Sequence, residues 1–98
     1  FKKLINKKSD NYTQADIYNY LGYTHRNLKK YDDAETYYLK ALKLDSDHVG
    51  ALEYIGELYL ETNRIEEAKK SLQKLKSVAG ESSNEYLELS TLIENYSQ

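Results

Sequence analysis

The side chains whose chemistry first asks for a role are two histidines, His25 and His48, and three glutamates at Glu53, Glu57 and Glu61. The histidines stand 23 residues apart in a chain without cysteine, so they form neither a compact metal-ligand set nor half of a thiol dyad. His25 follows Tyr18 and Leu21 at the i, i+3, i+7 spacing of one helix face, which reads as a packing histidine rather than a ligand. Serine and aspartate are plentiful, yet no nucleophile motif and no glycine-rich phosphate loop accompanies them. The basic stretch FKKLINKK reads as a solvated helix end. The glutamates are different: at i, i+4 and i+8 they share one face and repel one another by ~0.2 to 0.5 kcal/mol per pair. A sequence shaped only for stability would avoid that spacing, which points to countercharge for a basic ligand. These residues predict a non-enzymatic protein with no cofactor and no metal.

The elements that must position those side chains come from a small chain. With 98 residues and 40% apolar content it is one domain with a thin core. Eleven tyrosines against one Phe and no Trp make the bulky packing groups amphipathic, able to sit half in and half out of the core. A net charge of −2 supplies no whole-molecule field for nucleic acid or anionic membrane, so neither is expected as a partner. No apolar run approaches the ~20 residues of a membrane span. The chain starts with Phe rather than Met, which reads as a fragment or processed product and leaves the compartment open: cytoplasm or, had a signal peptide been removed, periplasm.

Strand signals and proline are absent, and the pattern repeats. YNYLG at 18–22 returns as LEYIG at 52–56 and more weakly as YLELS at 86–90, each time 34 residues on. Identity between the two full units is confined to Tyr20/Tyr54, Gly22/Gly56, Ala34/Ala68 and Lys40/Lys74, but character matches further: Leu21, Ile55 and Leu89, or Tyr38 and Leu72. Leu44 likewise corresponds to Val78. Each unit reads as two amphipathic helices broken near Leu28-Lys29-Lys30 or Thr62-Asn63-Arg64. Gly22 and Gly56 interrupt apolar stripes at a helix-propensity cost of ~1 kcal/mol relative to Ala. Facing Ala34 and Ala68, they let the two helices of a hairpin approach and leave room for Tyr38 or Leu72.

A 34-residue unit with an aromatic or Leu, then Leu-Gly, an aromatic three residues after the Gly, and Ala, Tyr, Ala on a second helix resembles the tetratricopeptide repeat. The stretch 21–68 is similar to small bacterial proteins of that family with unassigned role. The resemblance implies an all-α fold, tandem helical hairpins stacked as a right-handed superhelix, or α-solenoid, with a C-terminal capping helix. It divides residues 1–98 into the end of a truncated preceding repeat (1–14), two repeats (15–48 and 49–82) and a cap (83–98). Helices are expected near 1–8, 14–28, 31–44, 48–62, 65–78 and 83–96. The family favours Gly in the turn inside each hairpin; Lys29 and Asn63 stand there, so Lys29 is expected in a left-handed backbone. Gly80 should end a helix as a left-handed cap, and Ser46 with Asp45 and Asp47 should do so by bonding the backbone. Thr13 with Asp16, and Ser82 with Glu85, resemble capping boxes. The last helix carries Tyr86, Leu89, Leu92, Ile93 and Tyr96 on one face and a polar back.

In such a stack the first helices line the concave groove. At 100° per residue, Asp16, Asn19, Tyr23 and Asn27 fall there with Arg26 at the edge, followed by Glu53, Glu57 and Glu61 with Leu60 at the edge. The resemblance makes these nine residues a groove for a partner protein or peptide, with basic residues meeting the glutamates and apolar ones meeting Tyr23 and Leu60. Some family members grip a partner's C-terminal carboxylate from this face; glutamates there disfavour that mode, and an acidic groove disfavours RNA. Head-to-tail self-association into a homo-oligomer is the alternative. Residues 1–14 carry four Lys and one Asp, net +3, and residues 83–98 carry three Glu and no cation, net −3.

Overall fold

The computed structural model describes residues 13–96. Five helices follow one another: α1 (Gln14–Asn27), α2 (Tyr31–Leu44), α3 (Val49–Glu61), α4 (Ile65–Ala79) and α5 (Asn84–Tyr96). Their bounds agree with expectation to within a residue. The helix expected near 1–8, as the end of a preceding repeat, lies outside the described residues. No strand occurs among the described residues. α1 packs chiefly on α2 and α3 on α4, while α5 lies against both α3 and α4. The architecture is that of stacked helical hairpins, an all-α solenoid in which the single helix α5 packs on the second hairpin.

Both hairpins turn in the same way. Lys29 and Asn63 have φ of 62° and 64°, the left-handed conformation anticipated for Lys29. Around the first, the N–H of Lys30 donates to the His25 carbonyl at 2.9 Å and that of Lys29 to Arg26 at 2.8 Å. Around the second, Arg64 donates to Tyr59 at 2.7 Å and Asn63 to Leu60 at 3.1 Å. Two carbonyls that the helix end would leave unpaired are thereby satisfied in each hairpin.

The loops between hairpins depart in part from the sequence reading. After α2 the side chain of Asp45, one of the three residues expected to do so, bonds the backbone, accepting from the Asp47 N–H at 3.1 Å. Gly80 has positive φ, but its φ of 92° and ψ of 159° place it in an extended region essentially reserved for glycine, not in a left-handed helical cap. Ser83 rather than Ser82 caps α5: its hydroxyl donates to the Gly80 carbonyl at 2.9 Å and accepts from the Tyr86 N–H at 3.2 Å. The Thr13–Asp16 capping box forms as expected, with both reciprocal bonds at 3.1 Å.

The core is continuous through the stack. Ala34, Tyr38, Ile55 and Leu58 join the hairpins, and Leu52, Leu60, Ala68, Leu75, Leu89 and Ile93 seat the cap. Tyr38 fills the space over Gly22, where an added Cβ would lie 2.6 Å from two ring carbons. Over Gly56 the sequence assignment changes: the occupant is Leu89 of α5, not Leu72, with a Cβ 2.6 Å from its Cδ2. Leu44 is 58% exposed where Val78, its counterpart, is half-buried. The face of α5 expected to pack is only partly covered, because Leu92 and Tyr96 are substantially exposed, and Leu87 adds an exposed apolar side chain to the same helix.

Candidate functional site

α1, α3 and α5 are the first helices of successive units, and their shared face carries the residues singled out above. Arg26, in the last turn of α1, reaches α3. Its Nη1 lies 3.0 Å from Glu57 Oε1 and its Nε 3.3 Å from Glu61 Oε1. Burial works against the guanidinium charge, but the two carboxylates outweigh it and hold its pKa above the ordinary value. The guanidinium also lies 5.9 Å from the centre of the Tyr54 ring, which packs on Tyr23 at 5.3 Å. Beneath them the hydroxyl of Tyr38 is buried beside Arg26, and burial pushes its pKa up.

This arrangement corrects the picture of three solvent-facing, mutually repelling glutamates. The Glu57 side chain is only 13% exposed and is neutralised by Arg26; Glu61, at 43%, keeps one side open to water. Glu53 is half-buried. Burial is the main cause that raises its pKa, to about 8, followed by the hydrogen bond with Glu57 and the charges of Glu57, Glu88 and Glu85. Burial and the neighbouring carboxylates thus act together to favour the protonated form of Glu53.

Among the described residues, two clefts bring together the residues singled out above. One, of about 490 Å³, is lined by Arg26, Glu57, Leu60 and Glu61 together with Leu92, Asn95 and Tyr96 of α5. The other, of about 440 Å³, holds Asp16, Asn19, Tyr20, Tyr23 and Tyr54. Asn27 and Glu53 line neither of these two. Leu60, 6% exposed, is core as well as cleft floor. Asp16 is already engaged, accepting the Thr13 N–H and bonding His48 Nε2 at 2.6 Å. Burial opposes its ionisation, but those bonds win and lower its pKa. His48 Nδ1 accepts the Ala51 N–H at 3.1 Å, so Nε2 carries the hydrogen donated to Asp16.

His48 thus caps α3 and ties it to α1, a role its sequence neighbours hide; its place immediately before a helix was the available signal. His25 packs as anticipated, its Nδ1–H donating to the Leu21 carbonyl at 2.8 Å and its ring 4.9 Å from that of Tyr37. On the convex side Arg64 clamps Glu35 through two 2.8 Å bonds and Glu67 through one of 2.9 Å. The bonds to Arg64 lower the Glu35 pKa. Sequence reasoning did not assign Leu92, Asn95 and Tyr96 to the site; Leu92 and Tyr96 had been placed on the core face of α5. Among the described residues no helix is long and apolar enough to cross a membrane, and no group of His, Cys, Asp or Glu could hold a metal ion.

Comparison with known proteins agrees with this architecture. Tetratricopeptide repeat family profiles match residues 15–48 and 51–82. The uncharacterized protein ycf37 of Guillardia theta is 38% identical over 55 residues, 56% of this chain and 31% of that protein. The human protein O-mannosyl-transferase TMTC2 is 31% identical over 74 residues, 76% of the chain and 9% of the relative. For the human protein O-mannosyl-transferase TMTC3 the figures are 32% over 68 residues, 69% and 7%. The chain covers at most 31% of the length of these relatives. Repeats of this kind generally mediate protein–protein interactions and are generally non-catalytic. Two matched repeats, the 34-residue register and the stacked hairpins lead to one conclusion: the chain belongs to the tetratricopeptide repeat family.

Proposed function

We propose that the chain is a non-enzymatic interaction module whose concave face takes an extended or helical segment of a partner protein bearing a Lys or Arg beside an apolar or aromatic side chain. The observation that supports this most is the cleft where Glu61 meets Leu92 and Tyr96. Glu61 is the more open of the two carboxylates held by Arg26, so a partner's cation can share it while Glu57 stays paired. The partner's apolar neighbour then covers Leu92 and Tyr96, 40% and 43% exposed. A water-exposed ion pair contributes only ~0.2 to 1 kcal/mol and weakens with salt. Affinity therefore rests mainly on the apolar contacts. The O-mannosyl-transferase activity of the two human relatives is not carried over, because the match covers under a tenth of each.

Selection of a displayed random peptide library on the folded chain tests the reading. Lys or Arg next to Phe, Tyr or Leu should be enriched, Leu92→Ser should weaken the selected peptides strongly, and Glu61→Gln should weaken them modestly with a shallower salt dependence. Selected peptides indifferent to both substitutions would remove this cleft as the site. Head-to-tail self-association is the second reading, favoured by Ile17 and Tyr20 of α1, 47% and 66% exposed, and by the exposed apolar residues of α5. Light scattering during size-exclusion chromatography at low and high salt separates the two.

A further inference from the structure

The cleft lined by Asp16, Asn19, Tyr20, Tyr23 and Tyr54 differs from the Glu61 cleft in its balance of charge. Arg26 answers Glu57 and Glu61, as Arg64 answers Glu35 and Lys74 answers Asp47 elsewhere. Among the described residues the groups that meet Asp16 are neutral. They are the Thr13 N–H at 3.1 Å and the Nε2–H of His48 at 2.6 Å, an imidazole whose Nδ1 carries no proton because it accepts the Ala51 N–H. These bonds use about half of the lone-pair sites of the Asp16 side chain, which is 35% exposed and keeps an unanswered negative charge. Three tyrosine rings stand around that charge. Tyr23 packs on Tyr54 with ring centres 5.3 Å apart, and Tyr20, in the register of Tyr54, is 66% exposed. Electron-rich ring faces beside an unpaired carboxylate attract a cation, and among the described residues no Lys or Arg lines the cleft. Arg26 does lie over Tyr54, but Glu57 and Glu61 offset its charge.

We propose that this cleft is a guanidinium subsite, in which Asp16 pairs with, and Tyr20 and Tyr23 stack on, an Arg side chain of the same partner segment that fills the Glu61 cleft. The subsite presupposes the concave face as the interaction surface and fixes how the partner's anchors are spaced. Arg suits it better than Lys, because a planar, weakly hydrated guanidinium stacks on a phenol ring while its N–H groups reach both oxygens of a carboxylate. The two clefts are offset by roughly six residues along α1 and α3, which is ~9 Å at a rise of ~1.5 Å per residue. One lies between α1 and α3 and the other reaches α5, so they are also offset by about one interhelix distance, ~9 Å. The diagonal, ~13 Å, is spanned by about four residues of extended chain. The partner segment therefore carries its Arg about four residues from the apolar and basic pair at Leu92, Tyr96 and Glu61.

Amide chemical-shift titration of the full chain with N-acetyl-arginine amide, and with its neutral isostere N-acetyl-citrulline amide, tests the subsite by itself. The arginine probe should shift Asp16, Tyr20 and Tyr23 and bind at least about threefold more tightly than the citrulline probe. Asp16→Asn, which keeps acceptors for Thr13 and His48, and Tyr20→Leu, an exposed change that leaves the core intact, should each remove that preference. Tyr20→Leu keeps the test decisive if Asp16→Asn does not fold. Equal binding of the two probes, or shifts away from these residues, would overturn the subsite. Two synthetic peptides, each with a Lys-Phe pair and with either Arg or citrulline four residues away, separate it from the wider reading. Equal affinities that both fall with Leu92→Ser would overturn the subsite and leave the Glu61 cleft standing. An arginine preference that Tyr20→Leu removes, in peptides indifferent to Leu92→Ser, would uphold the subsite and reject the Glu61 cleft.

Discussion

Gly22 and Gly56 occupy the same register in consecutive repeats, yet the space over each is filled from a different direction. Over Gly22 lies the ring of Tyr38, the second helix of the same hairpin, with no exposure to solvent. Over Gly56 lies the tip of Leu89, from the helix that follows the hairpin. A glycine in this register is thus a socket, and whether it locks a hairpin or seats the next unit depends on which neighbour is bulky. Unit one has an aromatic on its second helix; unit two has Leu72 there, too short and only half-buried, so the incoming helix takes the space.

The sharpest way to break this comparison is to fill the sockets. Gly22→Leu should destabilise the whole chain by about 3 kcal/mol, because a rigid buried ring cannot yield. Gly56→Ala should cost about 1 kcal/mol and loosen α5 selectively, since the flexible tip of a leucine can shift where a buried ring cannot. Urea melts with amide exchange check both. Equal, global losses for the two would show that the sockets are equivalent.

Two arginine ties extend the comparison to the faces of the stack. Arg26→Ala leaves Glu57 half-buried without its cation and should cost about 2 kcal/mol. Arg64→Ala removes the clamp on Glu35 and Glu67, but that side chain is 36% exposed and water compensates, so about 1 kcal/mol is expected. A double-mutant cycle with Glu57→Gln and with Glu35→Gln measures each tie; a stronger Arg64–Glu35 coupling would contradict the ranking of the two ties by burial.

The smallest effect distinguishes the two turns. Lys29→Gly should stabilise by about 1 kcal/mol and Asn63→Gly by about half that, because Asn tolerates positive φ better than Lys does. The Asn63 carboxamide also receives the Tyr96 hydroxyl, which the substitution removes. Thermal melts that rank the two the other way would place the strain elsewhere.

Periodicity made the hairpins legible: the 34-residue offset aligns Gly, Ala and the left-handed turn residues, all of which act within a unit. What escaped it acts between units. Leu89 over Gly56, Arg26 on Glu57 and Glu61, and His48 on Asp16 each join residues about one repeat apart, and helical register alone gives the face of a residue but not its partner across the stack. The glutamates show this best. Their spacing on α3 suggested a row of open charges, and the residue that neutralises two of them had been set at the groove's edge on another helix. Ser83 replacing Ser82 as a cap is a one-residue shift of helix start, the scale at which capping patterns lose resolution.

The concave face as the interaction surface is tested most directly by amide chemical-shift mapping of the isotope-labelled chain with a peptide from the library selection. Shifts concentrated at Asn19, Tyr23, Arg26, Leu60, Glu61 and Leu92 are the expected result. Shifts clustered instead on the outward faces of α2 and α4 would contradict it.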